Sequence, residues 1–533
     1  MTTKSETVVA VYERHGGNMT HAAKELGMSR GGVWYQLKRA GYDLDRPIAD
    51  GSIKGTTSTK RPLPKRGEVK RYILTSAQNN THLHDGVWAN IKALASWHDA
   101  EIGVGTFTYN QNRYGKLSVK RGKEKVKQNT LWYDERIEPY MLDSRVELAP
   151  GLVWCGEMNM LPTASDPLNG FETYTCRSSG IFPHAKIAMR SVASGMKDDP
   201  TKFNYATGTV TKKNYVAKRT GLKAEFHHAY GAALVEVASD GSWWVRQLTA
   251  DHEGTIYDLN VVAEDGVVYE SESVEAITWG DTHELMLSDE QRTLMRDMLD
   301  SLTPRSQYIH DVLLGSVISH WDSRNPHERI RRKHRGGGFS DVLEELDSAA
   351  RFLESMVRPG TDIYVVDSNH DRPWLEKWLQ DDRGQHDPTN ALVWHKLNAA
   401  MIESIIEDPD DRVSFHLLEH SLREHAGLGE NVRFLREDES HTITDASIEC
   451  GMHGHLGPNG ARGNPKSLSR LGHKANVGHY HSAGIWDGLF AAGKSCGTLD
   501  YERGPSSHSH SHIITYPNGK RTIVTAWKGK WRA

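Results

Sequence analysis

Cysteine is scarce. Cys155, Cys176, Cys450 and Cys496 are scattered over 533 residues with no CxxC pair, which argues against a zinc knuckle or a disulfide framework and fits a reducing compartment. No run of about 18 apolar residues occurs, and the start, MTTKSETVVAVYERHGG, lacks the apolar core of a signal peptide. No membrane span is therefore expected, and a cytoplasmic location is. A large excess of either charge is missing too: a net charge of −4 argues against a uniformly basic nucleic-acid coat, although a local basic patch would not show in that sum. Histidine, by contrast, is abundant. Many of the 29 lie in the second half beside Gly, Asn or Asp, a bias that points to metal chemistry, because imidazole is the commonest metal ligand.

The length exceeds what one hydrophobic core usually serves, so two or three domains are expected. Residues 6–42 carry three short helical patterns, ETVVAVYERHG, NMTHAAKELGM and SRGGVWYQLKRAG, with Thr20 and Ser29 at N-cap positions and Gly27 at the turn. This spacing predicts a helix-turn-helix over residues 1–45 whose third helix offers Arg30, Trp34, Gln36, Lys38 and Arg39 to DNA. The alternative is a small helical oligomerisation domain, which would make the protein a homo-oligomer. Residues 46–71 read as a flexible linker: from Gly51 on, Lys54, Lys60, Arg61, Lys65, Arg66, Lys70 and Arg71 stand against Glu68 alone. It is either a tether lying along phosphates or a solvated spacer.

Residues 72–270 read as a mixed α/β domain of unassigned role. It opens with a βαβ pattern, YILTSAQNN, GVWANIKALASWH and EIGVGTFTY, and continues with alternating segments such as GAALVEVASDGSWWVRQL, expected as half-buried strands. Asn80, Thr81 and His82 echo the later Asp281, Thr282 and His283, which is treated as coincidence.

Residues 271–533 have a different rhythm. VEAITWGDTHE is a strand ending on Asp281 and His283, SQYIHDVLLG a second carrying Asp311, and TDIYVVDSNHD a third ending on Asn369, His370 and Asp371, with helical patterns between them. Strand, helix, strand, helix, strand implies a parallel sheet with polar groups gathered at its carboxyl edge. Two further clusters follow, ECGMHGHLG with His453 and His455, and ANVGHYHSAG with His479 and His481. One polar strand end is an ordinary turn. Five in order, all built from Asp, Asn and His beside Gly, are not.

This ordered set resembles the five blocks of the calcineurin-like metallophosphoesterases, a family that includes Mre11-type nucleases, phosphatases and cyclic-nucleotide phosphodiesterases: DxH, GD, GNH(D/E), a His before Gly, and GHxH. The match covers roughly residues 272–500. It departs from the pattern where His310 stands for the Gly before Asp311 and Ser368 for the Gly before Asn369, which puts loop geometry in question and no ligand. The resemblance implies a layered β-sheet core with flanking helices. It also implies a binuclear centre in which Asp311 bridges two cations, with Asp281, His283 and His481 completing one site and Asn369, His453 and His479 the other. Mixed oxygen and imidazole ligands favour Mn²⁺, with Fe or Zn²⁺ as alternatives. By the same resemblance His370 faces the substrate rather than a metal, and Asp371 holds its ring and raises its pKa. His453 is preferred over His455 because the family's ligand directly precedes Gly.

Two segments bear on the substrate. SHWDSRNPHERIRRKHRGGG, expected as a basic, glycine-ended loop near the mouth of the site, places Arg324, Arg329, Arg331, Arg332, Lys333 and Arg335 close together. SHSHSH at 507–512 puts three histidines on one face of a strand, either in the cleft or on the surface. The layout also resembles phage early DNA-transfer nucleases, most visibly in HDVLLGSVISHWDSRN and LDYERGPSSHSHSHIITYPNGK. A metal-dependent DNA nuclease, phage-encoded and acting in the host cytoplasm, uses all of these features. A phosphatase or phosphodiesterase for small-molecule or protein phosphoesters would share the metal residues but leave the front of the chain unused. A DNA-binding scaffold with a vestigial site is the third reading.

Overall fold

The computed structural model describes residues 4–14, 19–40, 59–109, 131–196, 199–271, 273–319, 325–411 and 413–533. At the front, helices Lys4–Arg14, Met19–Glu25 and Arg30–Arg39 pack Val8, Val11, Ala22, Ala23, Val33 and Leu37 into a small core of their own. Ser29 caps the third helix, its hydroxyl accepting from the Gly32 N–H at 3.0 Å, and Gly27 takes a φ of +61° in the turn. The second helix begins one residue before Thr20, so that residue is not its N-cap. The side chains of Arg30, Trp34, Lys38 and Arg39, the linker up to residue 58, and Arg324 lie outside the described residues.

The linker ends sooner than its composition suggests. Thr59–Lys60 already pairs in parallel with Arg145–Ala149, and Val69–Gln78 is a ten-residue strand. Several of its basic side chains pair with acids: Lys60 with Glu147 (3.1 Å), Lys70 with Glu101 (3.0 Å) and Arg71 with Glu236 (2.9 Å).

The fold is mixed α/β with several sheets. Val69–Gln78, helix Asp85–Trp97 and Ala100–Phe107 form the expected βαβ unit, extended by the antiparallel strands Gly231–Ala238 and Trp243–Thr249. These last two are buried almost throughout rather than half-buried, because this four-stranded sheet is covered on both faces. A six-stranded sheet carries the polar strand ends. Val432–Phe434, Asp362–Val365, Ser306–Ile309 and Ala276–Thr278 run parallel, followed by antiparallel Ser511–Thr515 and Arg521–Thr525.

Alternation along these strands sorts their side chains into two layers. Ile277, Ile309, Ile363 and Val365 meet Met295 and Leu299 of helix Asp289–Leu302 and Leu346 and Leu353 of helix Val342–Met356. Ala276, Tyr308 and Val366 face the other way, onto Ile443, Ile448 and Cys450. Those three belong to or flank the end of an 11-stranded sheet, in which His184–Val192 pairs with Gly484–Trp486. Strands from both sides of residue 270 thus share one sheet. The change of sequence rhythm there is not a break in the hydrogen-bonded structure.

Candidate metal centre

The polar residues lie just beyond the carboxyl ends of the parallel strands, where main-chain geometry is unusual. Gly280 has no room for a side chain, since a Cβ there would lie 2.7 Å from the main chain of Gly493 and Lys494. Its N–H donates to His512 Nδ1 at 3.1 Å, which fixes the backbone before Asp281. His283, Asp311, His479 and His481 all have positive φ, at 41°, 44°, 71° and 53°. Residues with a Cβ rarely adopt this region, and strain of this kind collects where surrounding contacts hold side chains in a required place.

All seven candidate ligands converge. His481 Nε2 is 3.0 Å from Asp281 Oδ2, His283 Nε2 is 3.9 Å from Asp311 Oδ2, and His453 Nε2 is 3.4 Å from the same Asp311 oxygen. Asn369 Oδ1 sits between His453 Nε2 (2.9 Å) and His479 Nδ1 (3.0 Å). Asp281, His283 and His481 form one cluster with ligand-spaced atoms, and Asp281, Asp311 and His453 another. Asp281, His283, Asp311 and His453 are almost wholly buried. Main-chain donors hold the carboxylates in place: the His479 N–H reaches Asp281 Oδ1 at 2.9 Å and the His370 N–H reaches Asp311 Oδ1 at 3.0 Å.

Two acids and a group of imidazoles share this small volume, and their protonation follows. Burial alone would raise the Asp281 and Asp311 carboxyls, but the histidine charges around them, His453 foremost, outweigh it and hold both below the usual range. Burial pushes His283 down to about 3. His481 goes the other way: Asp281 and Glu502 overcome its burial and lift it to about 9. The site therefore keeps negative carboxylates beside neutral or cationic imidazoles. Asp281 Oδ2 and His283 Nε2 are buried without an aligned hydrogen-bond partner, although such groups are nearly always satisfied. Inward lone pairs on a mixed oxygen and nitrogen donor set fit divalent cations.

The two departures from the family pattern fit this geometry. Ser368 is buried with its hydroxyl donating to the Val366 carbonyl at 2.8 Å. His310 packs its ring on His453, Nδ1 to Nδ1 at 3.3 Å, and lies against Gly478, where a Cβ would meet it at about 3 Å.

Asp371 differs from expectation. Its carboxylate accepts the N–H groups of Val312 and Leu313 at 3.1 and 2.9 Å, bracing the turn after Asp311 instead of holding the His370 ring. Burial and the Asp311 charge hold Asp371 well above the usual carboxylate range. His370 has its Nδ1 at the Leu314 carbonyl (3.3 Å) and its ring on Trp374 (3.8 Å between centroids), and burial lowers its pKa. It also faces His283 and Asp311 at ligand spacing, so it stands nearer the metal positions than a purely substrate-facing residue would.

Of the remaining histidines, His455 lies outside His453, with ring centroids 5.4 Å apart. Only Ser511 and His512 of the SHSHSH run belong to the strand. His512 braces Gly280, His510 meets Gln291 Nε2 at 3.2 Å, and His508 lies 3.1 Å from Glu502. The basic segment is a helix, Pro326–Arg335, rather than a loop: Asn325 caps it, Pro326 opens it and Gly336 at φ 68° ends it. Arg335 clasps Asp500 through both oxygens, at 2.7 and 3.3 Å, which ties that helix beside the centre. His82 of the early echo is exposed and near Asp134, away from the cluster.

Sequence reading missed Glu502. Its carboxylate takes Lys494 Nζ at 2.6 Å and lies 3.8 Å from His481 Nδ1, on the side of that imidazole away from Asp281. A lone acid in LDYERG carries no spacing signal, so nothing short of the fold marks it.

Comparison with known proteins defines the molecule in two parts. Residues 6–39 match the helix-turn-helix described as bacterial regulatory protein, Fis family. Over 510 residues, covering 92% of this chain and 87% of the other, the sequence is 38% identical to Protein A1 of Escherichia phage T5. The chain belongs to the Protein A1 family. No helix among the described residues is long and apolar enough to cross a membrane.

Proposed function

We propose that this chain is a divalent-cation-dependent phosphodiesterase of the calcineurin-like metallophosphoesterase type, acting on DNA as a phage-encoded nuclease in the host cytoplasm. One observation carries the reading. Asp281, His283, Asp311, Asn369, His453, His479 and His481, drawn from five separate chain segments, meet at one place, five of them buried, with Asp281 Oδ2 and His283 Nε2 lacking an aligned partner. A purely structural polar cluster would pair those atoms internally.

In this reading Asp311 lies between two cation positions. Asp281, His283 and His481 serve one, and Asn369, His453 and His479 the other, with Mn²⁺ the best match to the donor set. When bound, two such cations supply a clamp for the phosphate, an activated water and charge stabilisation on the attacking and leaving oxygens. The protein's own part is placement. Main-chain donors fix Asp281 and Asp311, and His512 and Asp371 brace the turns that carry them. With Nδ1 held at Leu314, His370 keeps Nε2 for the substrate. An arriving phosphodiester offsets the burial that holds this imidazole neutral, so that Nε2 would take a proton from solvent and pass that proton to the leaving oxygen.

DNA is preferred as substrate because the Fis-type helix-turn-helix supplies a duplex-binding module and the basic helix 326–335 is fastened beside the centre. The test is incubation of purified protein with linear and circular DNA and a panel of divalent cations, beside Asp311→Asn. Cleavage in Mn²⁺ that disappears in the variant is expected. Equal cleavage by both proteins, or none by the wild type, overturns the proposal.

A further inference from the structure

Tyr501 stands beside the centre with 55% of its surface exposed. Its ring centroid is 6.3 Å from that of His370 and 6.4 Å from that of His481, tilted 33° and 38° to them. Exposed rings are ordinary on a protein surface; this one is marked by its place against two histidines of the centre. It is not on a loose loop, because both neighbours in sequence are anchored. Asp500 is gripped by both guanidinium nitrogens of Arg335, and Glu502 is tied to Lys494 and His508. The ring is thus held as a fixed platform, one nucleotide's reach from the groups that surround the reacting phosphate. The helix that Arg335 ends also exposes Arg331, one turn earlier on the same helix face.

A rigid ring next to a basic flank is how proteins take single-stranded nucleic acid: cations track the phosphates, and bases stack on the aromatic face whatever their identity. Inside a duplex both faces of a base are covered by its neighbours, so a ring at this position meets a base only at a frayed end or after unstacking. Resting on the nuclease reading above, we propose that Tyr501 stacks on the nucleobase adjoining the reacting phosphate and that the centre takes single-stranded DNA or unpaired duplex ends.

The test compares wild type, Tyr501→Ala and Tyr501→Trp in Mn²⁺ on three substrates: a single-stranded oligonucleotide, the same strand with a central abasic block, and a closed duplex circle. Wild type should favour base-bearing over abasic positions by roughly 10- to 100-fold in kcat/KM. It should also favour the single strand over the circle. Tyr501→Ala should erase the base preference mainly through KM, and Tyr501→Trp should keep it. A Tyr501→Ala variant that loses activity equally on base-bearing and abasic strands has lost a structural contact and overturns the inference, as does a wild type that prefers the circle. Cleavage of DNA without regard to bases sinks this inference alone. Failure of the wild type to cut any DNA, while it hydrolyses a small phosphodiester, sinks the nuclease reading and takes this inference with it.

Discussion

Two buried charge clusters in this molecule invite comparison. In the middle region Arg246 donates to Asp258 through Nε (2.5 Å) and Nη2 (2.8 Å) and to Glu236 through Nη1 (2.7 Å), while Arg71 takes the other Glu236 oxygen at 2.9 Å. Its cations and acids are matched, and none of Arg71, Glu236, Arg246 and Asp258 itself has a positive φ. At the strand ends of the six-stranded sheet, two buried carboxylates face a group of imidazoles, polar atoms lack partners, and four candidate ligands hold left-handed backbone. Burial is similar in both places. What separates the two is unspent hydrogen-bonding capacity on a strained backbone, the feature on which the proposed metal reading rests.

The contrast can be broken by exchanging one group in each cluster. Asp311→Asn should reduce phosphodiester hydrolysis by about 10⁴-fold, the size of effect expected when a metal clamp is dismantled. It should also abolish a Mn²⁺-dependent rise in melting temperature, which is expected of the wild type. His370→Gln should lower turnover by about 10²- to 10⁴-fold while calorimetry still finds Mn²⁺ bound; loss of binding would make His370 a ligand and redraw the site. Arg246→Met reverses the pattern. Asp258 is left buried without its guanidinium while Glu236 keeps only Arg71, so urea unfolding should show a loss of about 3–5 kcal/mol with Mn²⁺ affinity unchanged.

A smaller effect tests a buried acid belonging to neither cluster. Glu345 accepts the Gly315 N–H at 2.8 Å, and burial raises its pKa to about 7 from an unfolded value of 4.5. Its contribution is complete below pH 4.5 and is lost as the pH rises through 7, with a slope approaching about 1.4 kcal/mol per pH unit for one proton. Glu345→Gln, which keeps the acceptor, should remove that component of the pH dependence in denaturant titrations at pH 5 and 7.5. Smallest of all, Lys60→Ala removes an exposed ion pair with Glu147 and should change stability by no more than about 1 kcal/mol.

The five polar blocks could be found in the sequence because each sets Asp, Asn or His just after a strand-like or glycine-rich stretch, and the five come in one fixed order. The helix-turn-helix was visible for a similar reason, through Ser29 and Gly27. The basic segment was harder. Its charge suggested a loop, whereas Asn325 and Pro326 open a helix that Arg335 then fastens to Asp500 across 165 positions.

Sequence alone determined which side chains could serve as ligands and in what order they come, because strand ends and turns are local events governed by neighbouring residues. Tertiary structure decided the rest. It placed Asp371 on the main chain of Val312 and Leu313 rather than on His370, brought Glu502 to His481, set Tyr501 beside both histidines, and ran one 11-stranded sheet through both halves of the chain. These are contacts between residues far apart in sequence or between neighbours whose side chains diverge, and no local pattern encodes the packing that brings them together or turns them apart.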